Sequence, residues 1–114
     1  MFEVDKKLLT RAEELVLVAV WRLQENAYCV PIREQLMEVT KRKWSFGSIY
    51  DALDRLEKKG YLKSFLSEPQ KLRGGRSKRI YQHTKAGLQA MIEIKNVQEK
   101  IWDGIAILAI EREL

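Results

Sequence analysis

Five cations crowd one nine-residue stretch, KLRGGRSKR at residues 71–79. Lys71, Arg73, Arg76, Lys78 and Arg79 surround two glycines, with no acid among them. Cations on a glycine-bearing loop suit one chemistry above others, the neutralisation of closely spaced phosphates on a surface that the backbone can follow. The neighbouring charge has the same bias. Residues 41–85 hold 13 Lys/Arg against 4 Asp/Glu, whereas the whole chain carries a net charge of only +5. The remainder is therefore net acidic, and the positive charge lies in one continuous segment. Such asymmetry favours a polyanionic partner, with nucleic acid ahead of acidic lipid; on charge alone, a merely solvated basic face is an equal alternative.

Other chemistries have little to work with. There is no glycine-rich phosphate loop after a strand, no framed pair of carboxylates and no nucleophile–histidine pair, so an enzyme is not expected. One cysteine, Cys29, and one histidine, His83, exclude an intrachain disulfide and a Cys/His metal cluster, and no cofactor is expected. Cys29 reads as small core filler, with a redox-sensing thiol as the alternative. At 114 residues, 46% hydrophobic and 32% charged, the chain fits one globular domain with a real core. Its longest strongly apolar run, Leu15 to Trp21, is too short to span a bilayer, and MFEVDKK lacks the order of a signal peptide. A cytoplasmic protein with no membrane partner is the expectation.

The elements that would position the basic loop follow from periodicity and caps. Thr10 and Glu13 stand in capping-box positions before a helix in which Leu15, Val16, Val18, Ala19, Val20 and Leu23 cover more than one face. That helix asks for a second layer or a second chain. Pro31 suits the first turn of a second helix, which KRK at residues 41–43 closes with positive charge. Ser45 caps a third helix that Gly60 stops, and Ile49, Ala52, Leu53 and Leu56 form its inward face. Its outward faces carry Phe46, Ser48, Tyr50, Asp51, Asp54, Arg55 and Lys58; the acids are expected to pair with nearby bases.

YLKSFL and RIYQH then predict a two-stranded hairpin whose long tip is the basic loop. Alternation places Tyr81 and His83 on one face, with His83 a packing or hydrogen-bonding residue. Thr84 caps a last helix whose apolar stripe, Leu88, Met91, Ile94, Val97, Ile101, Ile105 and Leu108, would run about 40 Å. That exceeds what this domain needs for its own core, and with the over-apolar first helix it predicts a homodimer. Gly104 weakens the last helix locally.

Helix, helix, helix, basic hairpin and long helix compose a mainly α (α+β) fold, a winged helix-turn-helix with a long C-terminal dimerisation helix. Residues 1–84 would form the DNA-binding domain, including the N-terminal helix, and residues 85–114 the dimerisation helix of the same compact unit. The recognition helix, residues 45–59, would enter the major groove of double-stranded DNA, and the wing, residues 67–79, would lie along the backbone or in the minor groove. A winged helix using its basic face on an acidic protein is the rival reading.

GSIYDALDRLEKKGYL followed by RGGRSKRIYQHTKAG resembles the PadR family of bacterial transcriptional regulators, as does AYCVPIREQL near the second helix. The resemblance covers about residues 10–91. It implies a dimer joined through the first and last helices, usually acting as a repressor. By the same resemblance Ser45, Phe46 and Ser48 would face bases, and Tyr50 would reach a phosphate while packing its ring. Lys43 and Arg55 would flank the groove as phosphate contacts, and Arg76 and Lys78 would be the main wing contacts, with Arg73 and Arg79 weaker ones. Two residues depart from the family pattern, Phe46 at the start of the recognition helix and His83 where an aliphatic is commoner. Phe46 either touches a thymine methyl or packs beside Trp44. Some short members bind flat aromatic compounds at the dimer interface through a tryptophan on the last helix; Trp102 sits in a comparable region, as part of a small-molecule effector pocket or as a ligand-free interface anchor.

Overall fold

The computed structural model describes residues 8–68 and 77–114. Helix α1 (Arg11–Leu23) leads through a 3-10 turn at Gln24–Asn26 into α2 (Cys29–Thr40) and α3 (Phe46–Lys58). Strands β1 (Leu62–Leu66) and β2 (Arg79–His83) follow, then α4 (Lys85–Trp102) and α5 (Ile107–Glu111). The strands form one antiparallel pair, from Leu62 opposite His83 to Leu66 opposite Arg79. This is the winged helix-turn-helix that the pattern predicts.

The three expected caps are formed. Thr10 Oγ1 accepts the Glu13 N–H at 3.1 Å while Glu13 Oε1 accepts the Thr10 N–H at 2.8 Å, a complete capping box. Ser45 accepts the Ser48 N–H, and Thr84 accepts the Gly87 N–H. Gly60 stops α3 with φ at 81°, a left-handed conformation that a side chain disfavours. Val16, Leu17 and Val20 of α1, Ile32 and Leu36 of α2, and Ile49, Leu53 and Leu56 of α3 fill the core, closed by Leu62 and Tyr81 from the hairpin. On its outer edge β2 is fastened to the link between the 3-10 turn and α2, because the Tyr81 N–H donates to the Ala27 carbonyl at 2.9 Å. His83 is a packing residue as expected: its Nε2 donates to the Leu17 carbonyl at 2.8 Å, and its ring meets Trp21 edge-on at 5.9 Å. Burial depresses its pKa, and that hydrogen bond offsets part of the effect.

The start of α4 is set by close backbone contact. A Cβ on Gly87 would lie 2.0 Å from the Tyr61 carbonyl oxygen, so only glycine fits. Thr84 adds bonds on the same side, its N–H to the Tyr61 carbonyl at 3.1 Å and its hydroxyl to the Gly60 carbonyl at 2.5 Å. Ala90, Met91 and Ile94 pack on the core, whereas Val97 and every residue beyond it are exposed.

The single helix expected over residues 85–114 is corrected to two. At Asp103 the backbone turns extended (φ −57°, ψ 130°) and Gly104 takes φ 79°, so α4 ends at Trp102 and α5 leaves in a new direction. The apolar spacing continues across the break because it records which residues share an apolar role, not whether the helical hydrogen bonds are continuous.

Candidate nucleic-acid interface

The turn between α2 and α3 is locked by side chains that present the start of α3. Lys41 ends α2 in the left-handed region. Thr40 Oγ1 donates to the Leu36 carbonyl at 2.6 Å and accepts Trp44 Nε1–H at 3.0 Å. Arg33 Nε donates to the Trp44 carbonyl, and its guanidinium lies 4.5 Å from the centre of the Phe46 ring. Phe46 is therefore braced from α2 while remaining 45% exposed. No motif or spacing marks Arg33 for this role, because its partners lie 11 and 13 residues ahead across a turn.

Ser45 and Ser48 share their hydrogen bonds across the cap. Ser45 Oγ accepts from the Ser48 N–H at 3.0 Å, which leaves its own proton free to donate outward. Ser48 Oγ donates to the Ser45 carbonyl at 2.8 Å, which leaves its lone pairs free to accept. Both are exposed, as is Lys43 just before them. The helix N-terminus adds partial positive charge. A Cβ at Gly47 would meet only Ser45 Oγ, at 3.8 Å, so the surface there is open.

Tyr50 is exposed over half its surface, and it lies near enough to Cys29, at the first turn of α2, for each to shift the other's titration. The negative charge of a Cys29 thiolate, followed by burial, raises the Tyr50 pKa. Burial pushes the Cys29 thiol up, against the Tyr50 hydrogen bond and the Arg33 charge. With 5% of its surface exposed, Cys29 is the expected core filler.

The base of the wing reaches the same helix. Lys78 Nζ lies 4.3 Å from the centre of the Tyr28 ring and 3.2 Å from its hydroxyl, and Tyr28 is the cap residue of α2. The Lys78 N–H donates to Ser67 Oγ and its carbonyl accepts the Ser67 N–H, which carries the hairpin one rung outward. Arg79 Nη1 donates to Ser64 Oγ at 3.0 Å, and that hydroxyl donates to Glu57 at 2.8 Å. Lys71, Arg73 and Arg76 lie outside the described residues.

Arg55 is held from the other side of α3. Its Nε lies 3.3 Å from Glu13 Oε2, which also takes Lys59 Nζ at 2.7 Å. The Glu13 side chain is fully buried. Burial would raise its pKa, but the Lys59 and Thr10 hydrogen bonds prevail and lower it. Asp54 pairs with Lys58 at 3.0 Å, as expected for an acid on this face, and Asp51 lines a shallow groove with Tyr50, Arg79 and Tyr81.

Trp102 is 48% exposed on the last turn of α4. Two clefts along α4 are lined elsewhere on it, by Leu88 beside Trp21 and His83, and by Ala90, Ile94 and Val97 beside Leu9. Among the described residues no three His, Cys, Asp or Glu side chains could hold a metal ion together, and no helix is long and apolar enough to cross a membrane.

Solved structures share this arrangement. RosR of H. salinarum is 23% identical, with a TM-score of 0.68 over 96% of this chain and 91% of that one. A PadR family transcription regulator of Clostridium difficile R20291 is 28% identical, with a TM-score of 0.61 over 81% of this chain and 90% of its own. A PadR family transcriptional regulator of Eggerthella lenta DSM 2243 is 23% identical, with a TM-score of 0.64 over 83% and 80%. No curated protein matches the chain. Residues 16–93, from the middle of α1 through the helix-turn-helix and hairpin into α4, match the transcriptional regulator PadR-like family. With two-thirds of its length matched and the winged helix in place around that match, the chain belongs to the PadR-like family of transcriptional regulators.

Proposed function

We propose that this regulator binds an inverted-repeat operator as a homodimer and represses transcription from it. The observation that carries the reading is a continuous line of contacts from the wing base to the start of α3. Lys78 sits on Tyr28, the cap of α2, the next residue Cys29 lies near Tyr50, and Arg33 one turn along α2 braces Phe46. The described base of the wing and the recognition helix thus form one surface, with Lys41, Arg42 and Lys43 at its edge.

On that surface Ser45 donates and Ser48 accepts at base edges, and the exposed face of Phe46 meets a thymine methyl. Tyr50, Lys43, Lys78 and Arg79 contact phosphates, joined by Arg73 and Arg76 from the tip. Arg55, fixed at Nε by Glu13, keeps its terminal N–H groups for a flanking phosphate. The dimer forms through α1 and α4, where Ile92, Val97 and Ile101 are each more than half exposed, with Trp102 as an anchor of the contact.

Selection of bound duplexes from a random DNA pool, followed by a salt titration, tests the proposal. An enriched inverted repeat is expected, and Arg76→Ala/Lys78→Ala should reduce the slope of log affinity against log salt by about 2. Absence of any enriched sequence would refute DNA readout and leave the basic face for an acidic protein partner.

A further inference from the structure

We infer that α5 is a hook that seats in a basic-rimmed groove on a second copy of the chain, a contact additional to the α1 and α4 interface and resting on the homodimer reading. The hook is defined by the break at Gly104. Ile107, Leu108 and Ile110 are 46–59% exposed, and Glu111 and Glu113 stand beside them on either side of Arg112, so the hook's end remains net acidic. An isolated five-residue helix has no stability of its own in water, so an apolar one needs a surface to hold it.

The groove lies between the start of α1 and the end of α2. Leu15, Val39 and Trp44 contribute its apolar floor, and Arg11, Arg42 and Lys43 its rim. Among the described residues none of these three cations is in an ion pair, and neither is Glu111 or Glu113. Apolar floor and cationic rim on one side match apolar face and acids on the other. The cleft along α4 offers an apolar floor too, but Glu14 and Glu93 line it and would repel the acids of the hook. Because Lys43 and Trp44 lead directly into α3, a seated hook would border the DNA-facing surface of the partner.

Charge reversal tests both the contact and its intermolecular character. One variant carries Glu111→Lys/Glu113→Lys and another Arg11→Glu/Arg42→Glu, all at exposed positions. Each alone is expected to dimerise about tenfold more weakly than the parent in low salt, read by sedimentation velocity. An equimolar mixture should recover parental affinity as heterodimers, since each hook then meets a groove of opposite charge. A hook folded onto its own chain would stay mismatched in both variants, so failure of the mixture to recover overturns the inference. Parental dimerisation by each variant alone overturns it as well. A parent chain that is monomeric at micromolar concentration would instead remove the homodimer reading itself. Thermal melts establish folding, and if a reversal unfolds the chain, Glu113→Gln and Arg42→Gln should weaken the dimer in the same direction by a smaller factor.

Discussion

Replacing Glu13 with glutamine should cost this fold much of its margin. The substitution keeps the side chain's shape and the acceptor for the Thr10 N–H, but it sets an amide where Oε2 receives Lys59 at 2.7 Å and Arg55 at 3.3 Å. A hydrogen bond to a charged group contributes roughly 1.5–3 kcal/mol, and the partial exposure of both cations argues for the lower part of that range, so the total loss is about 2 kcal/mol. With an unfolding entropy of about 2.1 cal/mol/K per residue, that lowers Tm by about 8 °C at neutral pH. The pH dependence carries a sign. Because the folded state holds the Glu13 carboxyl below its usual value of 4.5, the unfolded chain binds the proton more readily. The stabilisation is complete above that value and is lost as pH falls through the folded pKa. Circular dichroism melts at fixed protein concentration should show parent and variant converging on acidification. A gap under about 2 °C at pH 7, or one unchanged by acid, would refute the argument.

Other substitutions separate steric from conformational causes. Gly87→Ala, with its Cβ against the Tyr61 carbonyl, should cost about 3 kcal/mol in urea unfolding. Gly60→Ala meets no atom within 4 Å and should cost only the left-handed strain, about 1–2 kcal/mol. The thiol of Cys29 should react with iodoacetamide at least about a hundredfold more slowly in the folded protein than in denaturant; rapid labelling of the folded state would contradict its burial. Arg33→Ala should weaken DNA binding by more than its effect on Tm implies, because it releases Phe46 and the Trp44 carbonyl together; equal losses would reduce Arg33 to a packing residue.

Local chemistry was legible in the sequence and long-range pairing was not. Thr10, Ser45 and Thr84 announce their helices because a cap needs only a hydroxyl and an N–H three residues on. The same spacing shows Glu13 as a capping residue but not as the anchor for Arg55 and Lys59, which lie 42 and 46 residues away. Arg55 on an outward face reads as a phosphate contact, and its added attachment to Glu13 comes to light only in the fold. Lys78 and Tyr28 are separated by 50 residues, and Arg33 meets Phe46 only because the turn between α2 and α3 folds it there. The last helix shows the complementary limit: its stripe was legible, its interruption at Gly104 only in part.

The contact of Gly87 with Tyr61 leaves α4 no play where it joins the body. One end of that helix is jammed against the backbone that follows α3, and the other projects beyond the core. Such a joint behaves like a spoke welded to its hub. Swinging the free end turns the whole body, α3 included, so in the proposed homodimer the angle between the two spokes would set the separation of the two reading heads. A few degrees at the spoke tips would then decide which lengths of the proposed operator can be spanned, without any residue of α3 changing its place in its own domain.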